Sequence, residues 1–258
     1  MRKDLAPSLI DLSAIDSTPG RDEVRVYRVD LAAGPEGDDF RASPGWADLS
    51  TDERARADRL VRARDGRRFV QCRGALRAIL GGLLGVDPAA VEFHAGPGGK
   101  PILSQPGGSR WRFNVTHSGE LALIAVAWGR ELGVDVELAR PIQQAARIVE
   151  SYFTAAEVAE FLKLDEDDRA GAFIRGWTRK EAVVKAQGVG LAGLATEFET
   201  LFGLGAPGDS FRPCEPMPDV LGWRLWEATP RPGYVATLAI EASGPGDGVA
   251  GPAGATLR

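Results

Sequence analysis

The stretch FNVTHSGELALIAVAW, residues 113–128, alternates polar and apolar side chains, turns at Ser118-Gly119-Glu120 and returns as an almost wholly apolar run. That is the pattern of a polar-tipped strand, a Gly turn and an apolar strand. A second stretch, WRLWEATPRPGYVATLAI at 223–240, repeats the plan, with its turn at Arg231-Pro232-Gly233. A helical run lies ahead of each hairpin. RRFVQCRGALRAILGGLLG (67–85) spaces Phe69, Cys72, Leu76, Ile79, Leu80 and Leu83 on one helical face, and AGAFIRGWTRKEAVVKAQG (170–188) is a helix stopped by Gly188. Both halves thus run from helix to amphipathic strand, turn and apolar strand. A duplicated α/β unit accounts for this order, and a single α+β domain also accommodates it.

The remaining elements fit around these anchors. EVRVYRVDL (23–31) and LGVDVELAR (132–140) read as strands. Ser50 with Glu53, and Thr154 with Glu157, have capping-box spacing. The first box opens a helix that continues into 67–85, and the second opens a helix within 152–164. Residues 1–20 read as a flexible lead-in and 243–258 as a disordered, low-complexity tail. Two lobes, 21–130 and 131–242, lie between them.

Composition narrows the function. The 258 residues carry a net charge of −5, are 44% hydrophobic and 26% charged, and contain two cysteines and two histidines. An acidic chain does not coat nucleic acid. Two cysteines build neither a disulfide framework nor a thiolate zinc site, and two histidines argue against a histidine-built one. No apolar run approaches the ~20 residues of a membrane helix, and the N-terminus has no signal-peptide core. A cytoplasmic protein is expected. Residues 54–77 nevertheless concentrate Arg54, Arg56, Arg59, Arg62, Arg64, Arg67, Arg68, Arg73 and Arg77. This is either a solvated helix face or a site for a small phosphate-rich ligand.

On a strand, residues two apart share a face, so Asp135 and Glu137 of GVDVE project together while Val134, Val136 and Leu138 enter a core. Trp177, Glu181 and Lys185 recur every four residues along the 170–188 helix. If that face meets the 135–137 strand, three carboxylates converge. An all-oxygen set suits Mg²⁺ sharing its shell with phosphate, and Lys185 adds a cation. Taken apart, the acids fit a solvent face, and Glu181–Lys185 fits a surface pair worth ~0.3–0.5 kcal/mol. Other motifs fail. HAGPGGKP (94–101) lacks the flanking residues of a Walker loop, and THSGE (116–120) is no nucleophile elbow.

GVDVE followed by WTRKEAVVK resembles the paired signatures of 4′-phosphopantetheinyl transferases, in the monomeric, two-lobed type that activates peptide and polyketide synthetases. RRFVQCRGALRAILG, GGKPIL, FNVTHSGELALIAVA and GVGL occur in the same order, and the likeness spans about residues 50–200. It implies two similar α/β lobes related by a pseudo-twofold, with the active site at their interface. It also implies Mg²⁺ on Asp135, Glu137 and Glu181, and catalysis by Glu181, Lys185 and Asp135. Coenzyme A would be held by Arg73, Arg77, Lys100, Thr116, His117 and Lys185. The family has serine where this chain has Thr116. The implied reaction moves the phosphopantetheine arm to a serine of an apo acyl or peptidyl carrier protein, releasing 3′,5′-ADP. Carrier docking would fall near the cleft, with residues 54–68 attracting acid. The alternatives are another Mg²⁺-dependent phosphate transferase and a catalytically silent coenzyme A-binding or carrier-docking module.

Overall fold

The computed structural model describes residues 24–32, 39–43, 45–96, 99–104, 110–190, 196–202, 212–214 and 219–242. The expected lead-in at 1–20 and tail at 243–258 lie outside them. The first lobe opens with strand β1 (Val24–Asp30), followed by helices α1 (Thr51–Asp58) and α2 (Ala63–Leu84). A small hairpin, β2 (Phe93–Ala95) and β3 (Pro101–Leu103), precedes the long hairpin of β4 (Trp111–Ser118) and β5 (Leu121–Trp128). The second lobe runs β6 (Leu132–Leu138), α3 (Ala145–Tyr152), α4 (Ala155–Lys163) and α5 (Glu166–Gln187). It then continues through the short strands β7 (Arg212–Pro213) and β8 (Asp219–Val220) to the hairpin β9 (Trp223–Ala228) and β10 (Tyr234–Glu241).

Sheet order makes the repeat explicit. The first sheet is ordered β1-β5-β4 and the second β6-β10-β9, extended by β7, all antiparallel. In each lobe the opening strand and the hairpin's first strand flank the hairpin's apolar second strand. A helix of 22 residues, closed by a left-handed glycine, lies between the opening strand and the hairpin in both lobes.

The layers are α2, first sheet, second sheet and α5. Leu76, Ile79 and Leu80 of α2 pack with Ile124 and Val126 on the outer face of the first sheet. Each such side chain contributes about 1.5–3 kcal/mol on burial. Leu121, Leu123 and Ala125 meet Val134, Val136, Ala236 and Leu238 between the sheets. Ala182, Val183 and Ala186 of α5 pack with Leu225 and Ala239 on the far side. A strand buried on both faces, such as β5, must be apolar throughout, which explains LALIAVAW.

Both expected capping boxes form. The helix read as continuous from residue 50 is broken at residues 59–62, where the chain turns between α1 and α2. Glu53 of α1 is tied to Arg73 and Arg77 of α2, so the two helices pack instead of extending.

Candidate active site at the junction of the lobes

The site forms where α5 crosses β6. Gly133 permits the crossing, since a Cβ there would stand 3.0 Å from the Cα of Ala186 and nearer still to the carbonyl of Ala182 and the amide of Ala186. Backbone thus lies against backbone, and the next residue on that face of β6, Asp135, is delivered to the helix. Lys185 Nζ donates to Asp135 Oδ1 at 2.6 Å, and Glu181 stands one turn earlier on α5. Trp177, a further turn back, leaves this group. It packs edge-on against Tyr152 of α3 and stacks on Phe173, anchoring the helix.

A cleft of ≈ 360 Å³ opens beside this junction. Glu181 and Lys185 line one wall, Asn114 and Val115 of β4 another, and Lys100 stands at the β2–β3 turn. Lys100 donates to the carbonyls of Leu132 (3.1 Å) and Ala186 (3.3 Å), so the first lobe's small hairpin reaches both site elements of the second. Burial lowers its pKa, although Glu131 opposes the shift.

The carboxylates feel one another. Glu181 is pushed up to about 7 by burial and then by the charge of Asp135, with Glu137 adding and Lys185 opposing. Glu137 is raised mainly by burial, with Asp135 adding and the hydrogen bond from Ser118 opposing. For Lys185, burial favours the neutral amine, but Asp135 and then Glu181 and Glu137 outweigh it and hold the cation.

Among the described residues, no three His, Cys, Asp or Glu side chains stand in a ligating arrangement. The structure brings Asp135, Glu137 and Glu181 into one electrostatic neighbourhood, with Lys185 set against Asp135. The donor set still fits a hard divalent cation: the groups are all oxygen, and buried Asp135 Oδ2 has no hydrogen-bond partner among the described residues.

The expected coenzyme A contacts are not all delivered to the cleft. His117 sits at the exposed end of β4. Desolvation by the surrounding protein, Lys185 and Arg68 all lower its pKa. Arg77 departs from expectation. It is 3% exposed and donates to Glu53 (2.6 Å) and to the carbonyls of Pro88 (3.0 Å) and Val91 (2.9 Å). Buried carbonyls and a buried carboxylate occupy this guanidinium, which ties the loop after α2 in place. Arg73 shares Glu53 and lies over the Phe93 ring. Thr116 is buried and bonded within the protein, donating to Asp135 Oδ1 (3.0 Å) and accepting from Val136 N and Lys185. Arg68, expected to attract acid, is paired with Glu120 at the β4–β5 turn.

Sequence reasoning missed Asn114, Ser118 and the Glu157–Lys180 pair. Lys180 donates to Glu157 (2.9 Å) and to the Phe198 carbonyl (2.6 Å), locking α5 to α4 directly beside Glu181. The alternating N-x-T-x-S of β4 was the available signal for the first two.

Known proteins share both lobes. Residues 131–236 match the family model described as the 4′-phosphopantetheinyl transferase superfamily. Residues 38–128 match that of the N-terminal part of a 4′-phosphopantetheinyl transferase. The chain is similar to the 4′-phosphopantetheinyl transferase HetI of Nostoc sp., 37% identical over 226 residues, covering 86% of this chain and 90% of HetI. It is also similar to the 4′-phosphopantetheinyl transferase Sfp of Bacillus subtilis, 26% identical over 144 residues, covering 56% of this chain and 62% of Sfp. With the repeat, the lobe junction and these relatives in agreement, the chain belongs to the 4′-phosphopantetheinyl transferase superfamily.

Proposed function

We propose that the chain transfers the 4′-phosphopantetheine arm of coenzyme A to a serine of an apo acyl or peptidyl carrier protein, releasing 3′,5′-ADP, in the cleft between its lobes. The observation that carries the reading is the pairing of Glu181 and Lys185 on one cleft wall, with Asp135 held against Lys185 and Lys100 arriving from the other lobe. Cleavage of a pyrophosphate needs alignment and charge neutralisation more than covalent help. Lys185, held protonated, faces the charge that develops on the leaving phosphate, and Lys100 and His117 receive the nucleotide's phosphates.

The serine hydroxyl must lose a proton as it attacks. Glu181, on the cleft wall one turn before Lys185, is the carboxylate placed to take it. Asp135, Glu137 and Glu181 would hold Mg²⁺, which supplies Lewis acidity towards the pyrophosphate. Arg73 stands further out, over the Phe93 ring. We further propose that the enzyme acts as a monomer, since both lobes of the site occur in one chain, and that it works in the cytoplasm. The lobes divide between residues 130 and 131, with the first running from 21 and the second to 242.

The test is to incubate the protein with coenzyme A, Mg²⁺ and several apo carriers, and to follow both carrier mass and released 3′,5′-ADP. Equimolar gain of the arm and release of nucleotide, both abolished by EDTA, support the reading. Coenzyme A binding without either product would move it to a silent binding module.

A further inference from the structure

We infer that Thr116 and Ser118 of the first lobe are positioning residues that set the two acids of β6, an inference that rests on Asp135 and Glu137 belonging to the reactive site. Strands β4 and β6 run side by side, yet they belong to different sheets and share no backbone ladder. Alternate amides of a strand point to opposite edges, so the set not used by β10 must find acceptors elsewhere. Side chains of β4 provide them. Asn114 Oδ1 accepts from Val134 N at 3.0 Å, Thr116 Oγ1 from Val136 N at 3.3 Å, and Ser118 Oγ from Leu138 N at 3.2 Å.

The residue types follow what lies beside each rung. At Asn114 the neighbouring β6 residue is Gly133, which presents no acid, and a carboxamide oxygen suffices as acceptor. At the other two rungs the neighbours are Asp135 and Glu137. There β4 carries hydroxyls, which accept from the amide and still have a proton to give. Thr116 donates to Asp135 Oδ1 at 3.0 Å, and Ser118 donates to Glu137 Oε2 at 2.7 Å. Thr116 also accepts from Lys185 Nζ at 3.2 Å, which uses its donor and both its acceptor sites. The first lobe therefore fixes the rotamers of the second lobe's acids through the same atoms that join the strands. Thr116 acts on the reaction through Asp135 and Lys185, not by touching the nucleotide.

Thr116→Val keeps the shape and removes the hydroxyl, Thr116→Ser keeps the hydroxyl, and Ser118→Ala tests the third rung independently should Thr116→Val fold poorly. Residue-resolved amide exchange and steady-state transfer kinetics are measured on all three. Loss of one hydrogen bond should speed exchange of Val136 roughly tenfold in Thr116→Val, with the amides of Asp135 and Glu137 at their wild-type rates. In Ser118→Ala the change should move to Leu138. Thr116→Val should lower kcat with the KM for coenzyme A within about twofold, and Thr116→Ser should restore both readouts. A raised KM with kcat intact would overturn the inference in favour of a nucleotide contact, and so would unchanged exchange at Val136. The exchange pattern needs no turnover, so it tests the positioning even if transfer to carriers fails.

Discussion

Replacing Gly133 with alanine adds one methyl group at the crossing of β6 and α5, where it meets backbone instead of side chains. The new Cβ would stand 3.0 Å from Ala186 Cα and closer to Ala182 O and Ala186 N, all fixed within a helix. Carbon contacts are comfortable at about 3.5–4.0 Å, so the helix must retreat by roughly 1 Å. Ala182 directly follows Glu181 and Ala186 directly follows Lys185, so the retreat separates both charged residues from Asp135. A displacement of ~1 Å can cost on the order of 10²-fold in rate, and overpacking of this kind costs about 1–3 kcal/mol in stability. Gly133→Ala should therefore show kcat/KM for carrier modification lower by about two orders of magnitude, scaled to the rate expected from a 1 Å misplacement. Its thermal midpoint should also fall. Initial rates from carrier mass, with a melting curve on the same sample, decide the matter. A variant that melts and turns over like the wild type would refute the close crossing on which the site depends.

Two further substitutions separate structural from functional arginines and carboxylates. Arg77→Met removes one of the two arginines that hold Glu53 and takes this donor from the carbonyls of Pro88 and Val91. Leaving a buried acceptor without its donor costs about 1–3 kcal/mol, so calorimetry should show a clear loss of stability while the folded variant keeps its KM for coenzyme A. A raised KM with normal stability would restore Arg77 to the nucleotide site. Glu227 is pushed up by burial, but hydrogen bonds and charge from Arg179 and Arg175 outweigh this and hold it below its usual 4.5. Its stabilising contribution is therefore complete above about pH 4.5, the ordinary carboxyl range, and is lost as pH falls through the lower folded value. Glu227→Gln should flatten the decline of the melting temperature between neutral and acid pH, and an unchanged slope would contradict the assignment.

Much of this was legible in the sequence because the patterns concerned are local. Strand alternation placed Asp135 and Glu137 on one face, helical spacing aligned Glu181 with Lys185, and the two hairpins revealed the repeat. What escaped depends on which partner lies opposite. Arg77 has the residue type of a phosphate ligand, and only the folded chain shows Glu53 and three carbonyls around it. Thr116 shows the same limit, since its hydroxyl is used up by residues 19 to 69 positions away. The break between α1 and α2 carries no proline or glycine at 59–62, and it is imposed by the long-range ties of Glu53. Helix α3 (Ala145–Tyr152) lacked a capping signal, and no side-chain cap forms at Gln144. It is held instead by packing against α4 and α5.

On the proposed function, transfer at the junction of α5 and β6 requires Glu181. The most direct measurement is the single-turnover rate of carrier modification by Glu181→Gln, set beside its calorimetric affinity for coenzyme A. The expected rate is lower by about 10²–10⁴, the range for a lost general base, with affinity for coenzyme A changed only a few-fold. A variant that modifies the carrier at the wild-type rate would contradict it and place the reactive site elsewhere on the chain.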